Sequence, residues 1–290
     1  LGIEYAVCDC DEQRLAKSGA ECKYNNFEDV LRDESIEVVH ICTPHYLHVS
    51  MSVKALTQGV HVLCEKPCAI SAEGLSQLKM AQLLSDAKFG VCFQNRYNES
   101  AILVKSLVDK GTSGNVEAVR STVHWFRDEA YYSDDWHGTI EKEGGGVAVN
   151  QAIHTLDRMC YLVGEGIVRT DANIYNKGKC DIEVEDTMMG VVEFESGILG
   201  SFYFINHYSY DAPVYIELDC ENAVASITGD CAVIKYRDGS VETSEEETEN
   251  FYKYEGVKSY WGTSHGKQIA DFYNCLKTGA PMLISAENGF

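Results

Sequence analysis

Residues 36–67 read IEVVHICTPHYLHVSMSVKALTQGVHVLCEKP, and this stretch decides the fold. It opens on a β-branched run of strand length at 36–42 and closes on a second apolar run at 60–64. Between them, residues 46–58 set Val49, Val53 and Leu56 on one helical face, and Gly59 supplies a C-terminal cap. Two runs that are apolar rather than alternating, joined by an amphipathic helix, predict parallel strands buried on both faces.

Outward from this unit the pattern repeats. Upstream, 3–8 reads as a strand, 11–18 as a polar helix and 26–32 as a short helical piece. Downstream, Ser71 caps a helix expected to reach about Ala87 with Leu75, Leu78 and Leu83 inward, and 89–93 is the next strand. After Arg96 the texture changes. A helix at about 100–109 and a glycine-rich turn lead into 116–126, whose alternation suits a strand buried on one side. Gly144-Gly145-Gly146 opens a helix expected over 147–162. Strand-like stretches then follow one another from Ile167 to Val241, at 188–194, 198–205, 214–218, 223–227 and 232–236. Strands without intervening helices predict a largely antiparallel sheet. The acidic run 242–249 (ETSEEETE) reads as a solvated loop, and about 264–276 as a final helix. The expected division is a doubly wound, parallel α/β domain over 1–96 and an α+β domain with a large antiparallel sheet over 97–290.

Composition narrows the function. The 290 residues hold 24 Lys+Arg against 45 Asp+Glu, a net charge of −21, which argues against a partner bound through its phosphate backbone. No apolar run approaches a membrane span. Cys8, Cys42, Cys64 and Cys92, four of twelve cysteines, lie in or beside apolar runs, and no Cys-x-x-Cys pair occurs. Reduced, mostly buried thiols in a cytoplasmic protein are expected. No metal site is read.

Asp9 ends the first strand. In a dinucleotide-binding fold an acidic residue at the end of the second strand takes ribose hydroxyls and repels a 2′-phosphate, which favours NAD over NADP. Asp is equally common at strand ends for structural reasons. No G-x-G-x-x-G occurs, and Gly164-Glu165-Gly166 follows a helix and reads as a turn. If Asp9 ends the second strand, the first strand and its glycine turn are expected upstream of Leu1, over roughly 30 residues, the length of a βα unit.

The residues after the two decisive strands, Thr43-Pro44 with His48 and Glu65-Lys66-Pro67, fall on the carboxyl edge of the sheet, where open α/β folds bind ligands. A lysine held there can donate a hydrogen bond to an oxygen that gains negative charge. An isolated Lys-Pro is more often a solvated surface pair. In the second domain, Asn150 and His154 are four apart on the expected helix and so share a face. The helix N-terminus favours a neutral imidazole there, and Asp157 one turn on could orient the ring. The loop 131–138 (YYSDDWHG) offers Trp136 as a surface on which a sugar's C–H face could stack; a loop that packs on its own domain explains it equally.

These residues resemble the Gfo/Idh/MocA oxidoreductases, relatives of glucose–fructose oxidoreductase and inositol dehydrogenase. The carriers are Asp9, Thr43-Pro44 with His48, Glu65-Lys66-Pro67, Gln94-Asn95-Arg96-Tyr97, and residues 144–157 (GGGVAVNQAIHTLD). The resemblance covers nearly the whole chain. It implies a Rossmann domain, an open-faced sheet domain, a bound nicotinamide dinucleotide and dehydrogenation of a sugar or cyclitol hydroxyl.

Residue by residue, it implies Lys66 as the catalytic lysine and His154 as the active-site histidine. Asp9, Thr43, Pro44, His48, Glu65, Lys66 and Arg96 would bind the cofactor, with Glu65 at the nicotinamide ribose and Arg96 beside the nicotinamide. Tyr97, Trp136, Asn150 and His154 would meet the substrate. Many members carry Asp where this chain has Asn150, so a Lys–Asp proton relay does not transfer. The expected protein is a cytoplasmic, NAD-dependent sugar or polyol dehydrogenase that forms a homodimer or homotetramer through its open sheet. The alternative is a non-catalytic sensor of nucleotide or sugar on the same fold.

Overall fold

The computed structural model describes residues 2–244 and 264–286. Contacts divide the chain into two compact units, Leu1–Cys92 with Ile269–Phe290, and Phe93–Gln268. The expected division at Arg96 thus differs at the far end, where the last segment returns to the first unit.

The first unit alternates strand and helix. Strands β1 (Ala6–Cys8) and β2 (Cys22–Tyr24) pair in parallel around helix α1 (Glu12–Lys17). Asp11 caps α1 by accepting from the Gln13 and Arg14 amides, and Asn26 caps α2 (Phe27–Arg32) through the Asp29 amide. Strand β3 (Val38–Ile41), helix α3 (His45–Thr57), strand β4 (His61–Cys64), helix α4 (Ala72–Leu83) and strand β5 (Phe89–Val91) follow. The strands lie in parallel order β3-β4-β5, and Ile41, Cys64 and Val91 stand in register. Ile41, Val62, Leu63, Cys64, Phe89 and Val91 are almost wholly buried on both faces, which is why these runs do not alternate.

Two local expectations fail here for visible reasons. Helix α4 stops at Leu83, because the Ser85 hydroxyl bonds the Leu56 carbonyl and receives the Ala87 amide; Leu83 is exposed rather than inward. Strand β2 was missed, since three residues of CKY carry no periodic signal.

The second unit is one large sheet with helices on one face. After α5 (Glu99–Asp109), strand β6 (Val116–His124) and α6 (Ile153–Val163) come β7 (Ile167–Tyr175), β8 (Thr187–Phe194) and β9 (Leu199–Ile205). Next are β10 (Tyr215–Cys220), β11 (Ala223–Thr228), β12 (Cys231–Tyr236) and β13 (Val241–Thr243). Their order is β13-β12-β11-β10-β6-β9-β8-β7, with every neighbour antiparallel except β6 and β9. Val119, Val123, Phe202, Phe204, Ile216 and Leu218 point inward and pack with Val104, Leu107, Met159 and Leu162 of the two helices. Met189, Val191, Leu199 and Tyr203 alternate with them and are exposed, whereas Ile205 at the end of β9 is buried.

Helix α7 (Ser264–Thr278) supplies Phe272, which packs on Leu63 and Cys92 of the first unit. All twelve cysteines are free thiols. Five of them, Cys8, Cys10, Cys22, Cys42 and Cys231, are exposed, so the expectation of mostly buried thiols is corrected. The acidic run begins within β13, and its residues from 245 on lie outside those described.

Candidate active site

In the first unit Thr43, Pro44, Glu65 and Lys66 follow the ends of the paired strands β3 and β4. Thr43 and Pro44 follow β3, and Pro44 stands at the N-cap of α3, where its missing N–H costs nothing. Glu65 follows β4 and ties back to β3 through its amide to the Ile41 carbonyl at 2.9 Å. Lys66 comes next and joins Pro67 through a cis peptide bond. Burial raises the thiols of Cys64 and Cys92 well above their ordinary value, Glu65 adding to both, so the cysteines at this edge stay neutral.

His48, expected among the cofactor residues, lies inside the first unit. It is fully buried, with one ring nitrogen 2.7 Å from the Pro67 carbonyl and the other 2.7 Å from the Thr43 carbonyl. Its polar atoms serve the backbone. The buried face of α3 is accordingly His45, His48, Ser52, Ala55 and Leu56, and not the expected valine stripe.

Asp9 lies just past β1 and its carboxylate is partly exposed. One oxygen accepts from the Asp11 amide at 2.9 Å, and the other faces the Arg14 guanidinium at 3.8 Å. An oriented, partly exposed carboxylate at a strand end has the chemistry to accept from a diol.

In the second unit, the glycine turn is built around Glu185. Its carboxylate accepts from the Gly146 and Ala148 amides at 2.9 and 3.1 Å, and its carbonyl accepts from Val147 at 3.0 Å. A Cβ on Gly146 would stand 1.8 Å from that carbonyl oxygen, so only glycine fits. Asn150 begins a helical turn by bonding Gly146, but the Ala152 amide reaches back five residues to Val147 and breaks the ladder. Helix α6 therefore starts at Ile153, not 147, and the expected common helix face of Asn150 and His154 is corrected. His154 is the second residue of α6, its ring edge-on to Phe93 at 5.9 Å between centroids.

Asn150 enters a polar network that the sequence did not announce. Its amide donates to the buried Glu143 carboxylate at 2.5 Å and to the Tyr131 hydroxyl at 3.0 Å. Gln151 donates to the same hydroxyl at 3.1 Å and accepts from Asn206 at 2.8 Å. Glu143 also accepts from the Gly138 amide, which joins the aromatic loop to the glycine turn. Burial, then the Glu143 charge, push the Tyr131 phenol up to about 12. No spacing rule links residues 131, 143, 150, 151 and 206, so only the fold reveals them.

Arg96 is paired with Asp157. They form a buried bidentate pair, Nε to Oδ2 at 3.0 Å and Nη2 to Oδ1 at 2.5 Å, with the Tyr161 ring 5.1 Å from the guanidinium. Asp157 thus holds Arg96 and does not orient His154; burial pushes its carboxyl upward, and Arg96 opposes that. Tyr97, half-buried, ends the short 3-10 turn Gln94–Tyr97 that carries Arg96. The Trp136 and His137 rings lie 3.7 Å apart between centroids, tilted by 32°, and Asp134 accepts from the His137 ring at 2.6 Å.

Comparison with known proteins fits both units. Residues 5–91 match the oxidoreductase family with an NAD-binding Rossmann fold, and residues 102–226 match the GFO/IDH/MocA C-terminal domain. The myo-inositol 2-dehydrogenase of Thermotoga maritima is 25% identical over 99% of this chain and 84% of its own length. The levoglucosan dehydrogenase of Pseudarthrobacter phenanthrenivorans is 27% identical over 69% of this chain, which spans only 58% of that relative. A levoglucosan dehydrogenase solved with NADH and levoglucosan superposes with a TM-score of 0.86 at 20% identity, over 99% of this chain and 84% of that one. The WlbA dehydrogenase of Bordetella pertussis, solved with NADH and UDP-GlcNAcA, gives 0.80 at 23% identity, over 98% and 83%. Among the described residues no helix is long and apolar enough to cross a membrane.

Proposed function

The chain belongs to the Gfo/Idh/MocA family of NAD(P)-dependent oxidoreductases acting on CH–OH groups, and on that premise we propose that it oxidises a secondary hydroxyl of a sugar, sugar derivative or cyclitol with NAD. The observation that carries the reading is Lys66, set on the sheet's carboxyl edge directly after Glu65 and beside the Thr43-Pro44 loop. Asp9, Thr43, Pro44, Glu65 and Arg96 would hold the dinucleotide, which would supply the acceptor for the hydride of the carbinol carbon. Lys66 donates a hydrogen bond through Nζ to the substrate oxygen and stabilises the charge that develops there. His154, the second residue of α6, takes the hydroxyl proton on an imidazole nitrogen. Asp9 accepts from the adenosine ribose, and Trp136 and Tyr97 offer aromatic surface to the sugar.

A small polyol or sugar is favoured over a nucleotide-linked one. A pyrophosphate calls for a cationic clamp, whereas Arg120 pairs with Glu217 at 2.8 Å and Arg127 with Asp211 at 2.9 Å. The test is NADH absorbance on incubation with NAD and a panel of polyols, sugars and UDP-sugars. Turnover of an unphosphorylated polyol or sugar supports the reading. Turnover of UDP-sugars alone overturns the substrate class, and NAD binding without any turnover favours the sensor.

The exposed apolar side chains Met189, Val191, Leu199 and Tyr203 support self-association through the open face of the second sheet. Light scattering after size exclusion checks this; a monomer mass at micromolar concentration counts against it.

A further inference from the structure

We propose that His48 is a positioning residue, its imidazole clasping the loop after β3 to the loop after β4 and so setting Thr43, Pro44, Glu65 and Lys66 relative to one another. The clasp itself is read from the first unit alone, while its effect on turnover rests on the functional reading above.

The geometry is specific. His48 has no exposed surface, and each of its ring nitrogens lies 2.7 Å from a backbone carbonyl, that of Thr43 on one side and that of Pro67 on the other. Pro67 is 19 residues away along the chain, so this is a tertiary link between the two strand ends. A buried aliphatic residue in the same place would add apolar burial to α3 but would leave both carbonyls without these donors. The planar ring sets two donor positions in one rigid body, so the carbonyls of both loops are referenced to α3 through a single side chain.

A carbonyl only accepts, so both contacts close as hydrogen bonds when each ring nitrogen carries a proton. Burial opposes that charge and brings the ring below its ordinary 6.5, while the two carbonyls and Glu65 favour it and Lys66 opposes it. His45 also lies against it, its ring centroid 5.7 Å away. The sign follows: the clasp holds both loops in acid, and one of the two bonds is lost as the pH rises through a midpoint below 6.5.

The experiment has two arms on the full chain. In the first, 15N NMR of the labelled imidazole follows the ring through the titration. Two N–H nitrogens at the acid end and one at the alkaline end are expected; a ring with one bare nitrogen at every pH overturns the two-handed clasp. In the second, NADH affinity and kcat are measured for the wild type, His48→Phe and His48→Gln from acid to mildly alkaline pH. His48→Phe is expected to lose about tenfold in NADH affinity or kcat, as the removal of a buried hydrogen bond worth about 1.4 kcal/mol implies. The wild-type advantage narrows as the pH rises, and His48→Gln, which keeps a donor, recovers part of the loss. A wild-type advantage that does not vary with pH overturns the proposal, as does wild-type behaviour in His48→Phe. If His48→Phe does not fold, His48→Gln is compared instead. If the wild type turns over no substrate, the functional reading fails while the NMR arm and NADH affinity still decide on the clasp.

Discussion

Asn150 and Glu143 are bonded side chain to side chain, the amide nitrogen 2.5 Å from a carboxylate that is almost wholly buried. The pairing accounts for the amide at a position where the resembled family often carries Asp. A carboxylate there would face Glu143, and two like charges at hydrogen-bond distance cannot both ionise cheaply.

Asn150→Asp is therefore expected to titrate as a pair with Glu143, one of the two carboxyls taking a raised pKa. A folded-state pKa above the unfolded value means the variant keeps its stability in acid and loses it as the pH rises through the raised value. Relative to the wild type, the deficit at neutral pH is about 2 kcal/mol and shrinks towards pH 4. Thermal melts across this range check it. The reversed pair, Glu143→Gln with Asn150→Asp, should regain most of the loss, and no recovery would defeat the pairing argument.

Arg96 and Asp157 give a prediction of a different kind. Their side chains are each less than a tenth exposed, so removing one leaves a buried charge without its partner. Arg96→Leu or Asp157→Leu should each cost about 3–5 kcal/mol, while the double variant should cost much less than the two losses combined. Denaturant titrations of all four proteins close the cycle. Additive losses would show that the pair is not a unit.

The parallel half of the fold was legible because Ile41, Val62, Leu63 and Phe89 are buried on both sheet faces, and that condition is written directly as runs without alternation. The cap at Ser71 was legible for the same local reason: its hydroxyl accepts from the Gly74 amide in the turn it starts. Partnerships over long sequence distance were not. His48 spans 19 residues to Pro67, Glu185 nearly 40 to the glycine turn, and Arg96 61 to Asp157. Residue type marked most of these positions as candidates, yet their partners depend on how strands and turns are stacked, which periodicity does not encode. The same cause misplaced the start of α6, since the Glu185 contacts and the break at Ala152 are tertiary.

Gly146→Ala tests how rigidly the glycine turn is held. The new methyl would fall 1.8 Å from the Glu185 carbonyl oxygen, and backbone has no rotamer with which to yield. A loss of about 3 kcal/mol or more is expected by thermal or chemical unfolding. At Gly166 a methyl would meet only the end of the Glu195 side chain at 3.1 Å, so Gly166→Ala serves as the mild control. Equal stability of the two variants would contradict the close packing at Glu185.

Lys66 supplies the sharpest chemical test. A group that donates to the reacting oxygen gains strength as negative charge develops, so its removal should act on the chemical step more than on cofactor binding. Lys66→Ala is expected to lower kcat about 100–1000-fold with NADH affinity within a few-fold of the wild type. Lys66→Arg should not rescue it, because a planar guanidinium presents its donors at a different reach and angle from a compact ammonium. His154→Ala should lower kcat as well, and its loss should ease at higher pH, where hydroxide can take the proton that the imidazole no longer accepts. If Lys66→Ala instead weakened NADH binding as much as turnover, Lys66 would belong to the cofactor site alone, and His154 would be the one remaining candidate for chemistry at the hydroxyl.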